Sequence, residues 1–277
     1  MVPAALNKIF KSGSTTYSTS SLFFPKHIRD NITILYAFVR TLDNFVDKTP
    51  QDIKGFNDFK KAYYETRSGF AVSNQIVNLF RSLEVAYTFD TLWTDNFIKS
   101  MQMDLTKKRY KTIEELEQYM YGSANVIGLY IAKLMNLPVS SYPYAEMLGK
   151  SMQFLNFIRD IKEDLSLGRI YFPQNDLKQF NLKTLEFNEV VKKKDSFIAF
   201  MLYQLDRYFM WQKTAEKGFK YIPRAYLIPI KTASDMYKWT ATVIRKDPFV
   251  VYRKKVKPTP FRIFITGVGN FVTSFSY

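Results

Sequence analysis

Residues 31–47, NITILYAFVRTLDNFVD, decide how the chain folds. Tyr36, Arg40, Asp43 and Asp47 stand at offsets 0, 4, 7 and 11. At about 100° per residue, all four fall within one narrow stripe of an α-helix. Ile34, Leu35, Ala37, Phe38, Val39, Leu42, Phe45 and Val46 fill the other directions. A surface helix shows a broad polar face, whereas this one carries a thin polar seam on an apolar body. Such a seam is predicted to face an interior cavity, where two carboxylates would be costly without cations.

The pattern recurs at residues 152–165, MQFLNFIRDIKEDL, where Gln153, Asn156, Asp160 and Asp164 stand at offsets 0, 3, 7 and 11. Phe154, Leu155, Phe157, Ile158 and Ile161 cover the remaining directions, and Arg159 and Glu163 flank the seam. A single D-x-x-x-D is common and is usually solvated or caps a helix. Two of them in matching apolar seams point to a site. Carboxylates four residues apart can share hard divalent cations, and magnesium favours a few carboxylates together with phosphate oxygens and water. Facing seams would let metal ions grip a diphosphate as a leaving group. The neighbouring arginines add charge-assisted contacts to phosphate, and aromatic walls would exclude water and stabilise a carbocation.

The rest of the chain fits this picture. Its 277 residues, 47% hydrophobic and 17% aromatic, are enough for a substantial core. Helical periodicity runs almost throughout, and Pro50, Pro138, Pro143, Pro173 and Pro223 fall between the periodic segments. Thr112 and Glu115 have capping-box spacing. The reading is one all-α domain over residues 1–277, with residues 1–12 and about 259–277 as peripheral tails. There is no cysteine and one histidine, His27, which is read as a surface residue. Disulfides and thiolate sites are thereby excluded, and a zinc centre or a Ser–His–Asp triad is disfavoured. The formal charge of +15 suits a polyanionic partner such as nucleic acid, anionic lipid or diphosphate. No stretch reaches the roughly 18 apolar residues of a spanning helix. The expected location is cytosolic, with a peripheral membrane contact through the basic and aromatic segment after residue 252.

Residues 35–47 and 153–173, LYAFVRTLDNFVD and QFLNFIRDIKEDLSLGRIYFP, resemble the two signature regions of the phytoene synthase and squalene synthase family. Residues 100–135 are similar to the family's middle segment, with M-D-x-x-x-x-R-Y and a tyrosine-rich helix, and residues 221–258 to its final helices. The resemblance covers roughly residues 13–258 in order. It implies an all-α isoprenoid-synthase-type helical bundle around a central cavity. It also implies head-to-head condensation of two prenyl diphosphates through a cyclopropyl-carbinyl diphosphate. The product would be phytoene from geranylgeranyl diphosphate, or dehydrosqualene or squalene from farnesyl diphosphate.

By that resemblance Asp43, Asp47, Asp160 and Asp164 would hold magnesium with help from Asn156, and manganese would substitute. NADPH would be needed only for squalene. Tyr36, Arg40, Gln153, Asn156 and Arg159 would bind diphosphate or metal-bound water. Ser14, Thr16 and Tyr17 match an early diphosphate-contacting element, and Tyr237 and Arg253 match positions that close over the site. Tyr171 is placed either as a roof of the cavity or as packing. Two departures stand out. Thr15 takes the place of a basic residue found in many relatives, so one phosphate contact is missing or comes from another cation. The first motif, D-N-F-V-D, lacks a second acid beside its first aspartate.

Asp104, Arg109 and Tyr110 are open between a structural ion pair at a helix end and a site role. Tyr119 and Tyr121 are read as core or cavity wall, and Gly122 and Gly128 as points of close helix or ligand approach. A nucleic-acid-binding protein would share the charge but not the acidic seams, and no binding motif is present. Head-to-tail prenyltransferases and terpene cyclases favour D-D-x-x-D, which is absent. A non-catalytic scaffold would be expected to have lost its aspartates.

Overall fold

The computed structural model describes residues 2–273. Helices α1 (Ala4–Gly13), α2 (Thr15–Ser20), α3 (Lys26–Asp47), α4 (Ile53–Arg67), α5 (Gln75–Ala86) and α6 (Thr91–Thr106) form the first half. Then come α7 (Ile113–Met120), a π-helical turn (Tyr121–Asn125), α8 (Val126–Leu134), α9 (Tyr142–Arg159) and α10 (Ile161–Ser166). The last part holds α11 (Gln174–Gln179), α12 (Phe187–Lys192), α13 (Lys194–Glu216), α14 (Arg224–Lys246), α15 (Val250–Arg253) and α16 (Pro260–Thr273). Two short parallel strands, β1 (Arg109–Tyr110) and β2 (Ile170–Pro173), pair beside the bundle. The all-α expectation holds.

The boundaries follow from local chemistry. Asp52, Asn74, Asp90 and Thr112 each accept a backbone N–H from the first turn of α4, α5, α6 and α7. The Thr112 cap is completed by Glu115, whose carboxylate accepts from the Lys111 N–H just outside the helix. Pro143 sits in the first turn of α9 and Pro223 caps α14, both positions that need no N–H.

The apolar body of α3 is buried as the pattern required. Leu35, Phe38, Leu42 and Val46 are covered, and Phe38 stacks on Phe80 at 3.8 Å. They belong to a core built from α3 to α6 and α8. Phe154, Leu155, Phe157 and Ile158 of α9 belong to a second core with α13, α14 and β2. The two seams therefore meet where these halves of the interior join. Gly128 and Gly149 let α8, α9 and the π turn touch: a Cβ at Gly128 would lie 2.0 Å from the Ala145 carbonyl oxygen, and one at Gly149 2.2 Å from that of Ala124.

Three sequence expectations are corrected. Residues 1–12 are more than a peripheral tail: α1 buries Leu6 and Phe10, and Phe10 packs against Tyr36 of α3 at 4.8 Å. Residues 259–273 are likewise packed: Ile263, Gly267 and Asn270 of α16 are buried against α2 and α14. Residues 274–277 of that segment lie outside the described residues. Finally, the second seam does not lie on one continuous helix. The chain breaks at Asp160 (φ −100°, ψ 16°) between α9 and α10. The bonds Asp160 N–H to Asn156 O (2.8 Å) and Asp164 N–H to Asp160 O (2.9 Å) carry the pitch across the break, so Asp164 stays on the seam's side.

Candidate active site

Both seams open into one polar pocket of about 390 Å³. Tyr36, Arg40, Asp43 and Asp47 of α3 line one side, and Gln153, Asn156, Arg159, Asp160 and Asp164 line the other. Ser14, Thr16, Tyr17, Tyr171 and Tyr237 also reach it. Thus every residue singled out by spacing is brought together, and all but one of those added by resemblance.

The exception is Arg253. Its guanidinium pairs with Asp247 on the exposed surface and does not line the pocket. The chain beyond it turns inward instead, placing Lys255 and Lys257 in the pocket. Lys255 Nζ lies 3.2 Å from Asp160 Oδ1 and also pairs with Glu163. Thr15 lines the same pocket, so these two lysines supply cationic charge where Thr15 supplies none.

Each acid is held differently. Arg40 pairs with Asp43 along α3. Even so, burial and the nearby Asp47 charge push the Asp43 carboxyl up to about 7. Burial and the Asp160 charge also raise Asp164 well above the usual carboxylate range. Burial disfavours ionised Asp160 too, but two bonds from Arg159 (Nε to Oδ1 2.8 Å, Nη2 to Oδ2 2.5 Å) and the charge of Lys255 outweigh it and hold this acid low.

Asp104 settles one open question. It does not pair with Arg109, which is exposed on β1. It is buried in the wall of the same pocket, as is Tyr119, and accepts from Tyr119 (2.6 Å) and Tyr171 (2.9 Å). Burial raises it to about 6, against the opposing pull of Arg169 and the two hydroxyls. Tyr171 also stacks on Phe157 at 4.1 Å, so it is both packing and pocket wall. The sequence reading assigned no role to Arg169. Its guanidinium donates to Asp47 Oδ1 (2.7 Å), the Val46 carbonyl (2.7 Å) and the Asp104 carbonyl (3.4 Å), and so locks β2 to the ends of α3 and α6. Its place in G-R-I-Y-x-P was visible, but nothing local linked it to an aspartate 122 residues away.

Tyr17, Tyr36, Val39, Gln153 and Asn156 line a second, apolar cavity of about 270 Å³ as well. Its walls run past Phe24, Leu35, Ile127, Ile131, Met135 and Ile230. At the junction, the Tyr237 hydroxyl donates to that of Tyr17 (2.9 Å), and Ser14 caps α2 by accepting the Tyr17 N–H (3.1 Å). A charged mouth therefore leads into a greasy chamber. The arrangement suits a ligand with an anionic head and a long hydrocarbon tail.

The donor set also fits divalent cations. The Asn156 side-chain oxygen is buried without a hydrogen-bond partner, and the acids are crowded enough to raise two of them. Among the described residues no three acids converge as a ready-made cage. Magnesium does not require one, because it keeps waters and completes its shell with phosphate oxygens.

A family model described as squalene/phytoene synthase matches residues 10–262. The chain belongs to that family. It is 28% identical over 257 residues to a 15-cis-phytoene synthase of Synechococcus elongatus, covering 87% of this chain and 82% of the relative. It is 26% identical to a 4,4'-diapophytoene synthase of Staphylococcus haemolyticus, covering 69% of each. The fold matches a crystal structure of a dehydrosqualene synthase with a TM-score of 0.86 at 20% identity, over 99% of this chain and 96% of that one. A squalene synthase structure from Alicyclobacillus acidocaldarius gives 0.78 at 21% identity, over 88% and 93%. This family member is therefore an all-α isoprenoid-synthase-type bundle of a prenyltransferase family.

Proposed function

We propose that the protein is a magnesium-dependent enzyme that joins two geranylgeranyl diphosphates head to head to give phytoene. The observation carrying this reading is the polar pocket of paired aspartates and cations opening through Tyr17, Tyr36 and Asn156 into an apolar cavity. Asp43, Asp47, Asp160 and Asp164, with Asn156, are the residues that would hold magnesium. The bound ions would supply the positive charge that lets diphosphate leave. Arg40, Arg159, Lys255 and Lys257 neutralise the diphosphate oxygens from the protein side.

In the first step the allylic C–O bond of one substrate breaks. The second substrate's double bond attacks the cation, and loss of a proton closes the cyclopropane. In the second step that intermediate loses its own diphosphate, rearranges and ends by losing a proton. The aromatic and aliphatic walls keep water from quenching the cations. Tyr17 and Tyr237, held by their mutual hydrogen bond, place polar oxygens only at the boundary where diphosphate sits. The reading also includes a peripheral membrane contact through the C-terminal segment, because substrates and product carry long apolar chains.

A second reading, farnesyl diphosphate to dehydrosqualene or squalene, is favoured by the likeness to a diapophytoene synthase. Incubation with each diphosphate, with magnesium and with or without NADPH, separates the readings by product. A C40 triene without NADPH supports the first, and a C30 product shifts the assignment to the second. Removal of divalent metal by a chelator should abolish coupling, and magnesium or manganese should restore it. No coupled product under any condition would leave a non-catalytic scaffold. A pH effect is also expected. Asp43 takes up a proton near neutrality in the metal-free protein, so magnesium must displace it. Magnesium affinity, measured by calorimetry, should rise as pH increases through about 7, because the raised Asp43 and Asp164 carboxyls must both give up protons to the metal.

A further inference from the structure

Helix α16 is amphipathic in an unusual sense. At about 100° per residue, its buried Ile263, Gly267 and Asn270 form one stripe, and Phe261, Ile265, Val268 and Val272 form another almost opposite. The second stripe is exposed: Phe261 shows 74% of its surface, Ile265 52% and Val272 60%. Phe264 and Phe271, also exposed, fill the angle between the stripes. Arg262, Thr266, Gly269 and Thr273 make up the remaining sector, and Arg262 is the helix's one charged residue, set over the Trp239 ring at 4.7 Å. The neighbouring turn adds exposed Leu22, whose partner Phe23 packs on Phe264 and fills the space a Cβ at Gly267 would need. A six-residue apolar surface on a 14-residue helix exceeds the scattered apolar residues of an ordinary surface.

We propose that this face of α16, extended by Leu22, lies in the interfacial layer of an anionic lipid bilayer. This builds on the peripheral contact included above by naming the surface and the lipid charge it requires. Two observations select a bilayer as occupant. The apolar stripe adjoins a strongly basic protein of formal charge +15, with exposed Lys254 on the segment leading into the helix, as an anionic membrane surface requires. The position is also continuous with the apolar cavity. Tyr17, Ser20, Ser21, Ile230 and Ala233 of the α2 and α14 region line that cavity, while α16 packs on those same elements. Only the α2 and α14 layer separates α16 from the cavity.

The test is co-sedimentation of the full chain, without substrate, with vesicles of phosphatidylcholine alone or with added phosphatidylglycerol. Wild type should partition into the anionic vesicles and be released by high salt. The variant carrying Phe261→Ser, Ile265→Ser and Val268→Ser should lose at least about tenfold in partitioning. Its circular dichroism and its turnover on detergent-dispersed substrate should stay at wild-type values, since none of the three touches the pocket. Ile265→Leu should retain binding. Wild type left in the supernatant, or a variant that partitions equally well, would sink the proposal. So would a wild-type dimer that becomes monomeric in the variant while neither binds vesicles, which would make the face an interface between copies. Vesicle binding is scored without catalysis, so failure of the proposed reaction leaves this outcome untouched.

Discussion

Asp164→Asn is expected to cut turnover by about a thousandfold, equivalent to about 4 kcal/mol of barrier, while making the metal-free protein more stable. The two effects share one cause. Asp164 faces Asp160 and Asp47 in a pocket that burial makes unfriendly to charge, and its carboxyl is held well above the usual range. An acid whose folded pKa is raised lends stability that is present at low pH and is lost as pH rises through the folded value. The neutral amide removes that loss, so the advantage of the variant should widen as pH increases. A gain of about 1 kcal/mol at neutral pH, or roughly 2–4 °C in melting temperature, is the expected size. Saturating magnesium should narrow the gap by stabilising wild type more than the variant. Thermal melts in chelator and in magnesium, paired with product assays, check both halves. Wild-type turnover, or a variant that melts lower in chelator, would remove Asp164 from the metal-holding set.

Such a trade-off explains why the site was legible in the sequence at all. Tyr36, Arg40, Asp43 and Asp47 break the apolar pattern of α3 at helical intervals, and a polar residue on a buried face must be satisfied or functional. The same logic exposed Gln153, Asn156, Asp160 and Asp164. Periodicity carried the fold equally well, because α3, α9 and α13 are long enough for their stripes to be unambiguous.

What escaped was non-local. The break at Asp160 keeps the hydrogen-bonded pitch, so the spacing of the acids looks the same with or without it. The packing of α1 and α16 rests on two and three buried residues respectively, too few to form a pattern against their polar or exposed neighbours. Arg253 and Lys255 lie two residues apart in one basic run, and only the turn after α15 decides which of them enters the pocket. Arg169 sits in the turn just before β2 rather than on either seam, and its partners lie on α3 and α6.

Arg169→Ala should be the most damaging single change to stability, at about 3–5 kcal/mol. Only 3% of the Arg169 side chain is exposed, and the guanidinium bridges an acid and two carbonyl oxygens from different helices. Its loss takes from the Val46 carbonyl one of two side-chain donors, leaving the Gln51 amide, and leaves Asp47 without its cation. It also strips Asp104 of the charge that opposes its burial, so that acid should titrate above its present value of about 6. Protonation of Asp104 at neutral pH would relieve part of the cost, which should therefore be smaller in acid than in base. For a chain of this size the loss corresponds to roughly a 10 °C fall in melting temperature. Arg169→Lys should recover little, because a single ammonium cannot donate at once to Asp47 Oδ1 and the Val46 carbonyl in the planar fork that both require. A purely structural brace would lower stability alone. Here Asp47 loses its orientation as well, so magnesium affinity measured well below the melting transition should also drop. Unchanged magnesium affinity would confine Arg169 to the scaffold, and a melting temperature within about 2 °C of wild type would refute the bridge itself.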